Sequence, residues 1–192
     1  KLNLKVEKII NQIDSKTSLV IIANPNSPTG TVLDVNEIKK IILKAKSKRA
    51  AVLIDEAYFG FYKLSSIDLI KKYSNLIISR TFSKGYGMAG LRVGYLIGST
   101  KIIDLLSKFK PMYEINSLGI LLAKTLIKNR SIFNSYIYKT QKCKSFLDNY
   151  FREKKIRMIK THANFILIEI KKNRSRIIKE LEKKGILIGK KI

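Results

Sequence analysis

Lys84 lies in the segment of this chain that most clearly indicates a catalytic or binding site. It lies in the segment Arg80-Thr-Phe-Ser-Lys-Gly-Tyr-Gly-Met-Ala-Gly-Leu-Arg92, directly after the apolar run Leu76 to Ile78, which predicts a buried strand. The segment places an amine nucleophile, two hydroxyls and a guanidinium within thirteen residues of one strand-to-loop turn. An amine in such a position can bond covalently to a carbonyl compound and can move protons.

A second candidate segment, Asp55-Glu-Ala-Tyr58, follows the apolar run Ala51 to Ile54. Because Asp55 closes a strand of four apolar residues, we expect its carboxylate to be half buried. A buried carboxylate needs a cationic or donating partner. Both segments follow predicted strands, at the carboxyl ends where parallel α/β sheets bind their ligands.

The two segments resemble those that bind the cofactor in pyridoxal-phosphate enzymes of the aspartate aminotransferase fold family. A third segment, Asn24-Pro-Asn-Ser-Pro-Thr-Gly30, matches the same family upstream in the right order, and the match is strongest from Asn24 to Ile97. The chain is most similar in look to histidinol-phosphate aminotransferases and their relatives. Residues 111–117 and 161–165 also resemble that branch, with less specific motifs.

The resemblance implies a role for each matching residue. Lys84 would bond covalently to pyridoxal phosphate and, once freed by substrate, act as base and then acid. Asp55 would keep the pyridine nitrogen protonated, and Tyr58 would donate to the ring oxygen. The alternative for Tyr58 is an aromatic packing residue.

The resemblance also implies residues that bind the cofactor phosphate. Arg92, eight residues after Lys84, would fork onto the phosphate with its planar guanidinium. Thr81 and Ser83 would add hydroxyl donors to the same phosphate or to the surroundings of the lysine. Of these two, Thr81 holds the family's hydroxyl position, three residues before Lys84.

One position departs from the commonest family pattern. Many relatives carry an Asn directly before Pro-Thr-Gly, and its amide donates to the ring oxygen, whereas this chain carries Ser27 there, preceded by Asn26. We expect Ser27 to donate with a shorter and weaker reach. Asn26 is expected to neighbour the cofactor, with a purely turn-forming role as the alternative.

Two other patterns suggest different chemistry. Gly85-Tyr-Gly87-Met-Ala-Gly90 has the G-x-G-x-x-G spacing of dinucleotide-binding loops, but those glycines must open a helix. Here a predicted strand, residues 93–97, follows at once, so the glycines are expected to let the backbone loop around Lys84. The single histidine, His162, cannot build a metal site alone, so no metal is expected.

The net charge of +25 raises nucleic-acid binding as an alternative. However, 31 lysines against 8 arginines are spread along the whole chain, together with 31 isoleucines. A nucleic-acid site would concentrate charge and interleave aromatic residues. We therefore favour compositional bias, typical of an A+T-rich genome, and expect neither a nucleic-acid nor a membrane partner. The single Cys143 fits a cytoplasmic location.

Strands that alternate with helices predict an α/β fold with a mostly parallel sheet. We expect residues 1–110 to belong to the large cofactor-binding domain, 111–152 to a connecting helix, and 153–192 to part of a smaller α+β domain. The apolar patterns predict strands at 17–23, 51–54, 75–79, 93–97, 165–170 and 186–188, and helices at 34–48, 66–73, 117–151 and 175–184.

The family carries further site residues before Asn24 and beyond Ile192, so we expect these 192 residues to be part of a longer, homodimeric enzyme and to be inactive alone. The leading interpretation is an aminotransferase that moves an amino group between an amino acid or amino-phosphate and a 2-oxo acid or related carbonyl compound. The alternatives are an amino-acid-phosphate decarboxylase of the same fold and a non-catalytic basic protein that retains the fold.

Overall fold

A four-stranded sheet forms the centre of the molecule. The structure is a computed structural model that describes residues 4–112, 115–170 and 172–189. The strands are β1 (Leu19–Ala23), β2 (Ala51–Asp55), β3 (Leu76–Thr81) and β4 (Gly94–Gly98). They lie in the order β1-β2-β3-β4, with the first three parallel and β4 antiparallel to β3. The predicted mostly parallel α/β sheet is confirmed.

Three α-helices lie in the described part of this half of the chain: α1 (Val6–Asn11), α2 (Val35–Ser47) and α3 (Thr100–Ser107). α2 begins where predicted, because Asp34 and Glu37 form a capping box. The Asp34 carboxylate accepts from the Glu37 backbone N–H at 2.9 Å, and the Glu37 carboxylate accepts from that of Asp34 at 2.8 Å. This arrangement satisfies donors that a helix start leaves unpaired.

The main core lies between α2 and one face of the sheet. Branched aliphatic residues alternate along the strands, as expected where every second side chain points to the same face. Burial of each large side chain contributes about 1.5–3 kcal/mol. The fully or nearly fully buried residues of this core include Ile38, Ile41, Ile42 and Ala45 from α2, and Val52, Ile54, Leu76 and Ile78 from the sheet.

The opposite face of the sheet is open over much of its area. Ile21 is 64% exposed on β1, and Leu96 is 48% exposed on β4. Asp55 and Ser79 lie at the carboxyl edge of this face, paired in register with each other, and Ser79 pairs with Leu96. The side chain of Asp55 therefore reaches the open side of the sheet.

The second half of the chain is mostly helical. Its elements are α4 (Ser117–Lys128), α5 (Arg130–Glu153), β5 (Met158–Ile159), β6 (Leu167–Ile168) and α6 (Arg174–Lys183). α5 packs against the segment that follows β2, because Ile137 joins Tyr58, Phe61 and Ala163 in a second buried cluster. In the described ranges, no helix is long and apolar enough to cross a bilayer.

The prediction of one helix over 117–151 is wrong, because the structure breaks it at Asn129. The Asn129 backbone N–H and side-chain amide both donate to the Thr125 carbonyl, at 3.0 and 2.8 Å. A side-chain amide that bonds local backbone competes with helix continuation. Asn129 therefore ends α4, and α5 starts at the next residue.

Three further element predictions need correction. The strand predicted at 165–170 is only the two-residue β6, which pairs antiparallel with the unpredicted β5. Just before β6, the Thr161 hydroxyl donates to the Phe165 carbonyl. Residues 186–188 form no strand in the described structure, since the Ile186 N–H closes the end of α6 on the Leu181 carbonyl. The 66–73 helix is a short 3-10 helix, Ile67–Lys71. Within the 111–117 motif, residues 113 and 114 lie outside the described residues.

We predict that Ile42→Ala lowers the free energy of unfolding by about 2–5 kcal/mol, because Ile42 is fully buried between α2 and the sheet and the truncation leaves a cavity. Leu43→Ala is the matched control, since the neighbouring Leu43 is 52% exposed, and should change stability by less than about 1 kcal/mol. Urea unfolding followed by circular dichroism measures both. Equal losses in the two variants would contradict this placement of the core.

Candidate active site

Asp55 ends β2, and its carboxylate is bound through one of its two oxygens. Its Oδ1 accepts from the Ser79 hydroxyl at 2.9 Å and from the Ala57 backbone N–H at 3.0 Å. Oδ2 makes no hydrogen bond to any residue that the structure describes. The side chain is partly buried, as expected from the sequence. The carboxylate is thus fixed by one oxygen and able to accept a donor with the other.

Tyr58 is buried beside Asp55, and the amine of Lys84 lies above its ring. The Lys84 Nζ is 5.8 Å from the centre of the Tyr58 ring, within cation–π range. The Tyr58 ring also contacts the ring of Phe165, edge to face at 5.5 Å between centroids. Within the described residues, neither the Lys84 amine nor the Tyr58 hydroxyl makes a hydrogen bond. The structure therefore brings Lys84 to the segment that carries Asp55.

The turn at Lys84 is tied down on both sides. The Thr81 hydroxyl accepts from the Ser83 N–H at 3.0 Å, and the Gly87 N–H donates to the Lys84 carbonyl at 3.0 Å. Gly87 has φ +69°, a conformation that glycine adopts without steric cost. As predicted, a strand follows the G-x-G-x-x-G run, after the short 3-10 helix Ala89–Leu91. The glycines thus shape the lysine turn and do not open an α-helix.

Phe133 of α5 fills the gap between the lysine turn and the Asp55 segment. Its ring stacks on Phe59 at 5.8 Å and lies 4.5 Å from the Tyr86 ring, measured between centroids. A Cβ placed on Gly85 would meet a carbon of that ring at 2.5 Å, and one on Gly60 would meet another at 2.4 Å. Sequence reasoning missed Phe133, since it is remote in the chain from both segments.

Among the described residues, three predicted residues make no hydrogen bond or ion pair with Lys84 or Asp55. Arg92 is exposed, adopts φ +55° and bonds the Ala89 carbonyl at 3.3 Å. Ser27 is exposed. The Asn26 amide donates to the Thr29 hydroxyl at 2.7 Å, which is a bond within its own turn. The roles of these three residues in cofactor binding remain predictions.

A buried ion pair next to the site was also missed by sequence reasoning. Arg80 and Glu56 lie 2.8 Å apart, with side chains only 9% and 5% exposed. Glu56 directly follows Asp55, the last residue of β2, and Arg80 directly precedes Thr81, the last residue of β3. The available signal was the pair of opposite charges at the ends of two neighbouring strands.

The 161–163 segment is hydrogen-bonded to α5 through the side chain of Lys144. The Lys144 amine donates to the carbonyls of Thr161 and Ala163, and burial lowers the pKa of this lysine. His162 packs edge to face on Tyr62 at 5.1 Å. Burial, followed by the nearby charges of Lys160 and Lys144, lowers the pKa of the histidine. His162 is a packing residue in this arrangement, and its backbone N–H donates to the Gly30 carbonyl at 2.8 Å.

An amine, a carboxylate and a phenol at the carboxyl ends of parallel strands are typical of an α/β enzyme. A family model described as aminotransferase class I and II matches residues 1–190. The chain belongs to that family. The resemblance drawn from the lysine segment is thereby confirmed.

The individual relatives include histidinol-phosphate aminotransferases and a decarboxylase. Histidinol-phosphate aminotransferase 1 of Carboxydothermus hydrogenoformans is 38% identical over 170 residues, which cover 88% of this chain and 48% of that protein. The histidinol-phosphate aminotransferase structure from Clostridium acetobutylicum has a TM-score of 0.84 at 28% identity, covering 96% of this chain and 57% of that one. L-threonine-O-3-phosphate decarboxylase from Porphyromonas gingivalis has a TM-score of 0.77 at 25% identity, covering 96% and 58%. The chain spans about half the length of the curated relatives it matches.

We predict that Gly85→Ala displaces the lysine turn, because the added methyl group would overlap Phe133. Overpacking of this kind costs about 1–3 kcal/mol of stability. Gly90→Ala is the control, since the residue is exposed and, apart from local backbone, no atom of the described residues comes within 4 Å of the place that its methyl group would occupy. Thermal unfolding of both variants measures the difference. A Gly85 variant as stable as the Gly90 variant would show that Phe133 does not fill this gap.

Proposed function

We propose that the protein that carries this chain binds pyridoxal phosphate covalently through Lys84 and is an aminotransferase. It would move an amino group between an amino acid or amino-phosphate and a 2-oxo acid or related carbonyl compound, as a histidinol-phosphate aminotransferase does. The observation that carries the proposal is the Lys84 amine, without a hydrogen-bond partner in the described structure and 5.8 Å from the ring of Tyr58. Membership of the class I and II aminotransferases supports it.

The residues on hand suit this cofactor chemically. The cofactor requires an amine, an acid for its pyridine nitrogen, donors for its ring oxygen and a cradle for its phosphate. Lys84, Asp55 and Tyr58 offer the first three, and within the described ranges each keeps a polar atom without a hydrogen bond. When bound, pyridoxal phosphate supplies an electron sink for the bond that breaks at the substrate's Cα.

Lys84 has two tasks in this proposal. Its amine would first hold the cofactor, and once substrate has displaced it, the freed amine would take the proton from the substrate's Cα and deliver it to the cofactor carbon. General acid–base catalysis of this kind contributes about 10²–10⁴-fold to rate. The bonds at Thr81 and Gly87 fix the backbone on both sides of the lysine, from which its side chain extends.

Asp55 holds a proton on the pyridine nitrogen through Oδ2, while Ser79 and the Ala57 N–H fix Oδ1. Tyr58 donates to the ring oxygen, with Ser27 as a weaker second donor and Asn26 as a neighbour. Arg92, Thr81 and Ser83 bind the phosphate. For Arg92 this role requires its guanidinium to leave the Ala89 carbonyl, an exposed bond of 3.3 Å that is weak by its length.

A phosphate-bearing amino compound is the substrate class that the relatives favour. Both the histidinol-phosphate aminotransferases and the threonine-phosphate decarboxylase carry such a compound in their names. The second candidate is therefore a decarboxylase that uses the same Lys84, Asp55 and Arg92. Release of carbon dioxide without consumption of a 2-oxo acid would identify it. We also propose a homodimer in the cytoplasm, supported by the family resemblance and the single cysteine.

We predict that borohydride reduction of the full-length protein, loaded with pyridoxal phosphate, fixes the cofactor on Lys84. Reduction makes the covalent bond permanent, so that peptide mass mapping locates it. Lys84→Arg is the control: it keeps the charge, cannot form the bond, and should carry no cofactor mass. Cofactor on another lysine, or on none, would overturn the proposal.

We predict that Asp55→Ala lowers kcat much more than Ser27→Ala does. The first variant loses the charged partner of the pyridine nitrogen, whereas the second loses one of two neutral donors. Removal of a preorganised electrostatic partner costs about 10²–10³-fold, against less than about tenfold for one neutral hydrogen bond. Steady-state kinetics on the full-length protein measures both, and equal losses would contradict this division of roles.

A further inference from the structure

Arg80 and Glu56 form a buried pair held by several hydrogen bonds. The Arg80 Nε and Nη2 both donate to Glu56 Oε2, at 3.0 and 2.8 Å. The Ser66 backbone N–H donates to Oε1 at 2.7 Å, and the Ser65 hydroxyl bridges the two charged groups. The guanidinium carbon also lies 3.6 Å from the centre of the Phe59 ring. The relative orientation of the two side chains is thus fixed by directional hydrogen bonds as well as by the attraction of their charges.

The pair lies on the reverse side of the strand ends from Asp55. The Glu56 N–H donates to the Ser79 carbonyl at 2.9 Å, so that the pairing of β2 and β3 continues one residue past Asp55. Because side chains alternate between faces, Asp55 and Ser79 are bonded on the open face while Glu56 and Arg80 are bonded on the other. Asp55 and Glu56 at the end of β2 therefore each bond a residue near the end of β3, Ser79 and Arg80 respectively.

A stack of rings extends the pair to the lysine turn. Arg80 lies on Phe59, Phe59 stacks on Phe133, and Phe133 contacts Tyr86 and fills the space over Gly85. A shift of the Arg80 guanidinium would therefore move Phe59, which follows Tyr58, and with it the ring that presses on the residue after Lys84. The contact runs without a gap from the ion pair to both segments of the site.

Burial of this pair is poorly explained by stability alone. Taking two charges out of water offsets much of their attraction, and an apolar pair of similar volume is often as stable. An apolar pair makes no directional bonds, whereas the guanidinium of an arginine and a carboxylate pair in a defined geometry. We infer that Arg80 and Glu56 are positioning residues that set the Lys84 amine against Asp55 and Tyr58. This inference rests on the function proposed above.

Arg80→Lys is the variant that isolates position from charge, because it keeps the cation and loses both the fork and the flat stack on Phe59. The matched control is Arg157→Lys, whose wild-type side chain is 75% exposed and contacts Glu169 at 3.0 Å. A second variant, Arg80→Met with Glu56→Leu, replaces the pair by apolar side chains. All are made in the full-length protein loaded with pyridoxal phosphate.

The main readout is the pH at which the absorbance of the Lys84-linked cofactor changes. If Tyr58 is displaced, it donates a weaker hydrogen bond to the ring oxygen of the cofactor. The nitrogen that joins Lys84 to the cofactor then holds its proton more tightly, and the pH at which the absorbance changes rises. We expect a rise of at least about half a pH unit in Arg80→Lys, with kcat reduced about tenfold or more and KM changed by less than about threefold. Arg157→Lys should match the wild type in all three.

Stability is measured alongside, and the apolar double variant should keep its urea midpoint within about 0.5 M of the wild type. A double variant that is stable yet shows the raised pH midpoint supports the inference. A wild-type pH midpoint and kcat in Arg80→Lys would overturn it and leave the pair with a structural role, whatever the double variant does. Absence of cofactor on Lys84 in the wild type would overturn the proposed function instead, so the two failures are distinguishable.

Discussion

The parallel pairing of β2 with β3 is the constraint on which the candidate site depends. Its register places Asp55 opposite Ser79, and the hydrogen bond from the Ser79 hydroxyl holds the carboxylate that ends β2. Tyr58 and Lys84 follow the two strands within a few residues. A slip of one residue would turn Asp55 to the core face. The buried aliphatic residues of α2 and the sheet therefore fix the active groups as well as the fold.

The sequence predicted the sheet well for a physical reason. Runs of three branched aliphatic residues bounded by polar and turn residues are strong local signals, and strands of that kind fall at 51–55 and 76–81 in the structure. The two-residue strands β5 and β6 are too short to leave such a pattern. Asn129 breaks a continuous helical pattern by one side-chain bond, which apolar periodicity does not register.

The same contrast holds for the candidate site. Lys84, Asp55 and Tyr58 were found because each stands in a recognisable segment directly after a strand. Arg80 lies inside the lysine segment, but its partner Glu56 is identified only once the register of two strands is known. Lys144 and Phe133 come from a helix far along the chain. Their contacts depend on tertiary packing, and no local pattern around them indicates a place in the site.

The position of Phe133 has a consequence for the order in which the site is built. Its ring occupies the space between Gly60 and Gly85, and it is synthesised 49 residues after Lys84. While the chain emerges from the ribosome, the four strands of the central sheet and both site segments are made well before the Phe133 ring. The two glycine positions then face an empty slot. The lysine turn acquires its final wall only after α5 has been made and has folded back onto the sheet.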